Sequence, residues 1–192
     1  MDVTLEVLGM SATADLRSEH VDVGRMLAIM DAMAERVRAG DRPDSGQLAE
    51  GIEFLRVFVD KCHHTKEQQL LFPALRTANV RSVDEVLEVL LADHVHGRET
   101  VARIAAAAQR PSDEDAANAE LAAAMADYTA LLHAHIRREE NDCFDVADRE
   151  LPIAVQDELA VGYARIERDV LGEGVHEGFH ALLARLARTY HA

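Results

Sequence analysis

The chain has no tryptophan, and aromatic residues fill only 4% of its 192 positions. Its apolar content of 48% is carried largely by Ala, Leu and Val, which suits close-packed helices better than a sheet sandwich. Proline and glycine are scarce, with 4 and 10 residues, and no long polar low-complexity tract occurs, so disorder is excluded as the main reading. Two cysteines, Cys62 and Cys143, form no CxxC pair and cannot build a disulfide framework. No stretch reaches the ~18 uninterrupted apolar residues of a membrane span. The segment Met1-Asp2-Val3-Thr4-Leu5 lacks the basic and apolar regions of a signal peptide, so the expectation is a soluble, cytoplasmic protein. Basic residues are also few. Lys plus Arg total 20 against 35 Asp plus Glu, a formal charge of −15, which argues against nucleic acid and membrane surfaces as partners. Against these shortages stand ten histidines.

Hydrophobic periodicity predicts four long helices and a shorter helical end. Helix A spans about Ala12 to Ala39, with Leu16, Val23, Leu27, Met30, Ala34 and Val37 on one stripe, and closes at Gly40. Helix B spans about Gln47 to Ala78 on Leu48, Ile52, Leu55, Val59, Leu70 and Ala74, with Pro73 expected to kink or end it. Helix C opens on a capping box, Ser82 with Glu85, and runs to about Gln109. Helix D carries Leu121, Met125, Tyr128, Leu132 and Val146 to about Arg149, and Pro152 stops it. Ile153 to Ala192 reads as one or two further helices, interrupted around Gly172-Glu173-Gly174. The expected fold is all-α: an up-down-up-down four-helix bundle in one domain, 1–192, with its core at about 12–150 and a helical extension at about 152–192.

The histidines acquire meaning when laid on these stripes. His20 falls between Leu16 and Val23, and His94 between Leu90 and Val101. His63 and Glu67 continue the row of Val59 and Leu70, and His135 and Glu139 continue that of Leu132. Residues four apart share a helix face, so each His-x-x-x-Glu offers an imidazole and a carboxylate to the same inner volume. Helices B and D also echo each other. His63, Lys66, Glu67 and Phe72 recur as His135, Arg138, Glu139 and Phe144 at a constant offset of 72. Four imidazoles and two carboxylates aimed into one core would be costly unless cations neutralise them. A metal pair does so, and a nitrogen and oxygen donor set without thiolate suits iron or manganese better than zinc.

The order His20, His63-x-x-x-Glu67, His94, His135-x-x-x-Glu139, with the contexts CHHTKEQQLLFP and HIRREE, resembles the hemerythrin-like HHE cation-binding proteins. The resemblance implies a non-haem centre of two iron ions with an oxo or hydroxo bridge, zinc or manganese being substitutes. Glu67 and Glu139 would then bridge, and the four histidines would be terminal ligands. Oxygen-carrying hemerythrins have a second histidine four residues along helix C, where this chain has Arg98. Of about twelve coordination positions on two irons, about two then stay open. That openness favours a reaction with O2, peroxide or nitric oxide over reversible carriage.

The expected function is binding or sensing of O2 or reactive oxygen and nitrogen species. The alternatives are an enzyme removing peroxide or nitric oxide, iron storage or donation to iron–sulfur clusters, and a metal-free interaction module. The partner is a small diatomic or peroxide ligand, and the protein a monomer or homodimer. His64 could supply a further donor, although it lies about 100° around an α-helix from His63. By the same arithmetic His96 and His133 turn away from the centre. Tyr128 reads as a core aromatic within reach of the site, and Cys62 and Cys143 as small core residues. The cluster Glu173-x-x-His176-Glu177-x-x-His180 lies on one segment, so it does not match the ferritin arrangement and is expected to cap the bundle, with a weaker second metal site as the alternative.

Overall fold

The computed structural model describes residues 11, 13–80, 83–172 and 174–192. The N-terminal segment Met1 to Leu5, the start expected at Ala12, the capping Ser82 and Glu173 lie outside the described residues. Six helices, and no strand among the described residues, make up the fold: α1 (Ala14–Arg38), α2 (45–77), α3 (Asp84–Ala108), α4 (115–150), α5 (Ile153–Val170) and α6 (Val175–Tyr190). The first four form an up-down-up-down bundle in which α4 packs along both α1 and α3.

Local chemistry sets the ends of these helices. Past the end of α1, Gly40 adopts φ +84° and its amide bonds to the Val37 carbonyl at 3.0 Å, a left-handed closure that glycine enters without a Cβ penalty. The carboxylate of Asp44 accepts from the Gly46 amide at 2.8 Å and starts α2 at Ser45, two residues before the sequence suggested. Pro152 precedes α5, and Gly172 and Gly174, at φ +76° and +79°, separate α5 from α6.

Helix α2 is not uniformly α-helical. It widens to π-helical winding at Leu55–His63 and Glu67–Leu71, and α4 does the same at Glu139–Phe144. Of the two outcomes expected at Pro73, an early end does not occur, because α2 runs on to Thr77. The Phe72 amide bonds to the Glu67 carbonyl, five residues back, and Pro73 sits in the first turn of the α-helical segment Phe72–Thr77. The N–H that proline lacks thus falls where the ladder is changing register, as at the start of a helix.

The interior divides into two apolar clusters. One holds Leu16, Leu71, Phe72, Leu90 and Phe144, with Leu159 and Tyr163 of α5 closing its end. The other holds Val23, Val59, Cys62, Val101 and Leu132, with Phe179, Leu183 and Leu186 of α6 packed on it. Between them, at one level of the bundle, lies a belt of buried histidine and glutamate side chains. Helix α5 approaches α2 closely at Gly162, where a Cβ would come within 2.7 Å of Leu70 Cδ1. No described helix is long and apolar enough to cross a membrane.

Candidate metal centre

All six residues singled out by the stripe argument lie in the belt. Glu67 and Glu139 are 0% exposed, and His20, His63, His94 and His135 are all buried. The metal-free interaction module therefore loses the exposed carboxylates it needed. His96 and His133 are exposed, as helical spacing predicted, and His176, Glu177 and His180 lie on α6.

The belt has an approximate two-fold symmetry that relates α1 to α3 and α2 to α4. His20 Nε2 faces His63 Nε2 at 3.1 Å, and His94 Nε2 faces His135 Nε2 at 3.1 Å. His63 Nδ1 is held by Glu19 at 2.7 Å and His135 Nδ1 by Asp93 at 3.4 Å, each carboxylate directly preceding the histidine of the neighbouring helix. His20 Nδ1 meets Glu140 at 3.1 Å, and His94 Nδ1 meets the Gln68 amide at 2.5 Å, each partner directly following a belt glutamate. Phe144 stacks on His20 and Phe72 on His94, at centroid distances of 5.3 and 6.1 Å. Lys66 Nζ donates to Glu19 at 2.5 Å, and Arg138 Nη1 donates to Asp93 at 2.7 Å. The offset of 72 seen in the sequence is thus a repeat of backbone and environment, since both glutamates open a π-helical segment.

These contacts orient the ligand atoms. A carboxylate can only accept, so Glu19, Glu140 and Asp93 fix the proton of their histidines on Nδ1 and turn the Nε2 lone pair inward. None of the four oxygens of Glu67 and Glu139 has a hydrogen-bond partner, although imidazole nitrogens stand at 2.9 Å (His135 to Glu139) to 3.5 Å (His63 to Glu67). Buried anions facing lone pairs are an expensive arrangement unless a cation or a proton lies between them.

The electrostatics register this conflict. Burial would push His63 down, but the charge of Glu67 and the hydrogen bond His63 donates to Glu19 outweigh it and lift it to about 9. His135 is lifted to about 10 against its burial by Glu139 and Asp93. Glu139, in spite of burial, is held well below the usual carboxylate range by His135, His20 and His94. Neither thiol belongs to the clustered donors, and burial raises Cys62 to about 12 and raises Cys143 as well.

One belt residue, His64, is left open by the sequence as a further donor. His64 is buried and stacks on His94 with ring centroids 3.9 Å apart. The reason is the π-helical winding. The His64 amide bonds to Val59, five residues back, so each residue turns through less than the α-helical ~100° and both His63 and His64 point inward. The ligand atoms then form two groups, each within 4.8 Å: His20, His63, Glu67 and Glu139, and His64, Glu67, His94 and His135. Glu67 belongs to both, and Glu139 reaches the second group through His135 at 2.9 Å. At the position equivalent to His64, α4 carries Ile136, so the symmetry breaks there and one group has an extra imidazole. Neither ring nitrogen of His64 has a hydrogen-bond partner. The only sequence sign of this role was the doubled His63-His64.

Tyr128 contributes no atom to either group. It is buried and lines a cavity of about 200 Å³ together with His64, Asp60, Gly97 and Arg98. The cavity runs from the ion pair of Arg98 with Asp60, at 2.8 Å, to the ring of His64.

Two proteins of Mycobacterium tuberculosis and one of Mycobacterium bovis, each described as uncharacterized, are similar to this chain at 29% identity over 179 residues, covering 92% of it and 68% of their own length. No solved structure matches. The hemerythrin HHE cation-binding domain matches residues 11–147. That span contains the four bundle helices nearly whole and every residue of the belt, and the chain belongs to the hemerythrin HHE cation-binding family.

Proposed function

We propose that this protein holds two iron ions in the belt, linked by an oxo or hydroxo bridge, and uses them to bind or sense O2 or reactive oxygen and nitrogen species in the cytoplasm. The observation that carries the reading is the pair of converging donor groups, whose shared carboxylates have no hydrogen-bond partner and whose Nε2 atoms face one another. Bound there, an iron pair would supply two one-electron reductants and open coordination positions for a small ligand.

The chain's own residues prepare that chemistry. Glu67 and Glu139 supply two negative charges between the groups, and Glu19, Asp93 and Glu140 hold the imidazoles in the ligating orientation. The two apolar clusters exclude bulk water from above and below. The 200 Å³ cavity beside His64 offers access, with room for a diatomic molecule or a peroxide but not for a metabolite of ordinary size. Arg98, in the place of a further helix C histidine, lies at its mouth and offers a positive charge to an incoming peroxide or superoxide.

Metal analysis of freshly purified protein, with its near-ultraviolet and visible spectrum in air and after anaerobic reduction, tests the proposal. About two irons per chain are expected, with absorption that bleaches on reduction and returns on exposure to O2. Folded protein that takes up no metal from an Fe(II) solution would overturn the reading. Rapid mixing with O2, peroxide and nitric oxide then separates stoichiometric binding from turnover. Gly97→Leu, which intrudes on the cavity, should slow these reactions without lowering the iron content.

A further inference from the structure

The geometry points to a second metal site, on the surface where α6 docks against α1, in which His176, His180 and Asp22 bind a divalent d-block cation of the zinc class. His176 and His180 stand four apart on α6 with ring centroids 4.7 Å apart, so both imidazoles face the same side. Asp22 faces them from α1, its Oδ2 2.7 Å from His180 Nε2. One ligand atom from each of the three lies within 4.8 Å of the others. None of the three belongs to the donor groups of the belt, so the site stands whether or not the buried centre holds iron.

The neighbours arrange these donors as a metal site requires. The carboxylate of Asp22 is largely buried, and Arg25 occupies its Oδ1 at 3.1 Å, which leaves Oδ2 to face the histidines. Glu167 of α5 accepts from His176 Nδ1 at 2.7 Å, which leaves Nε2 with the lone pair, the same carboxylate–imidazole orientation that supports ligating histidines elsewhere. The side chains of His176 and His180 are 32% and 51% exposed, so an ion can arrive from solvent and keep water in its fourth position. Two imidazoles and one carboxylate select a borderline cation over calcium or magnesium, which take oxygen donors. Donors at about 2.0–2.2 Å from a tetrahedral ion lie a little over 3 Å apart, so the contact of Asp22 with His180 opens only slightly on loading. The positive end of α6 opposes a cation only weakly at such an exposed position.

His180 and Asp22 are separated by 158 positions in sequence, so the ion would tie the end of the chain to its first helix. Equilibrium dialysis of the iron-loaded protein against Zn2+, followed by metal analysis, tests this. The wild type should bind one more zinc per chain than the double variant His176→Ala/His180→Ala, with equal iron in both. Zinc at 100 times its dissociation constant should raise the melting temperature of the wild type by about 5–10 °C more than that of the double variant. Asp22→Asn, which keeps the shape of the side chain, should weaken zinc binding at least tenfold, and exposed His96→Ala should leave it unchanged. Equal zinc uptake and equal melting shifts in wild type and double variant would overturn the site. Because both proteins share the buried centre, its failure to hold iron would leave the difference in zinc intact and legible.

Discussion

Replacing His64 by leucine should move the metal-free and the metal-loaded protein in opposite directions. Burial, with the neighbouring His94 and His135 imidazoles adding to it, holds His64 well below its ordinary value, so the ring is neutral at pH 7. Its two nitrogens are buried and unpartnered, the nearest carboxylate oxygen being Asp60 Oδ1 at 3.5 Å. An unsatisfied buried polar group costs about 1–3 kcal/mol. Against relief of two such groups stands loss of the stack on His94, worth about 0.5–1.5 kcal/mol. His64→Leu should therefore stabilise the metal-free protein by at least about 0.5 kcal/mol, a rise in Tm of at least about 1–2 °C for a domain of this size. In the loaded protein the same change removes one of three imidazoles from the second donor group, and affinity there should fall at least about tenfold, or 1.4 kcal/mol. The assay is thermal unfolding of chelator-treated and iron-loaded samples, together with iron content. A destabilised metal-free variant with undiminished iron content would refute the reasoning and make His64 an ordinary packed residue.

Other outcomes follow from the same geometry. Glu67→Gln should lower iron content more than any single histidine variant, because Glu67 serves both donor groups, whereas His96→Ala and His133→Ala should change stability by less than about 0.5 kcal/mol. Lys66→Met should destabilise by about 3–5 kcal/mol, because Lys66 is fully buried and its loss strands the buried Glu19. The pH dependence has a definite sign. His63 and His135 are raised from 6.5 to about 9 and about 10, so their contribution to metal-free stability is complete below about pH 6.5 and is lost as pH rises through 9 to 10. Glu139, shifted down, contributes above about pH 4.5 and loses its contribution as pH falls through its lower folded value. Iron retention should strengthen over the alkaline window in which metal-free Tm falls, because ligation displaces those imidazole protons. Gly162→Val should cost about 1–3 kcal/mol by overpacking against Leu70, measured by denaturant unfolding, and Gly162→Ala less, since the end of the Leu70 side chain can rotate aside.

Periodicity and spacing by themselves determined the helical bundle, the turns at Gly40 and Pro152, and the inward placement of His20, His63, Glu67, His94, His135 and Glu139. These follow from one rule, that residues three and four apart share a face, and from the cost of burying polar groups without partners. The 72-residue echo was legible too, although its meaning as a repeated second layer of Glu19, Asp93, Gln68 and Glu140 was not. Those contacts join different helices, and no single-helix pattern encodes which neighbour an Nδ1 atom will meet.

Only the tertiary structure decided three matters. It turned His64 into the belt, because π-helical winding in α2 departs from the ~100° per residue on which the sequence argument rested. It carried α2 through Pro73, because the same winding changes the hydrogen-bond register just ahead of the proline. And it brought His176 and His180 to Asp22, a contact across 158 positions that exists only once α6 has docked on α1. A helical periodicity describes one helix at a time; where a helix widens or meets another, the packed bundle alone selects the outcome.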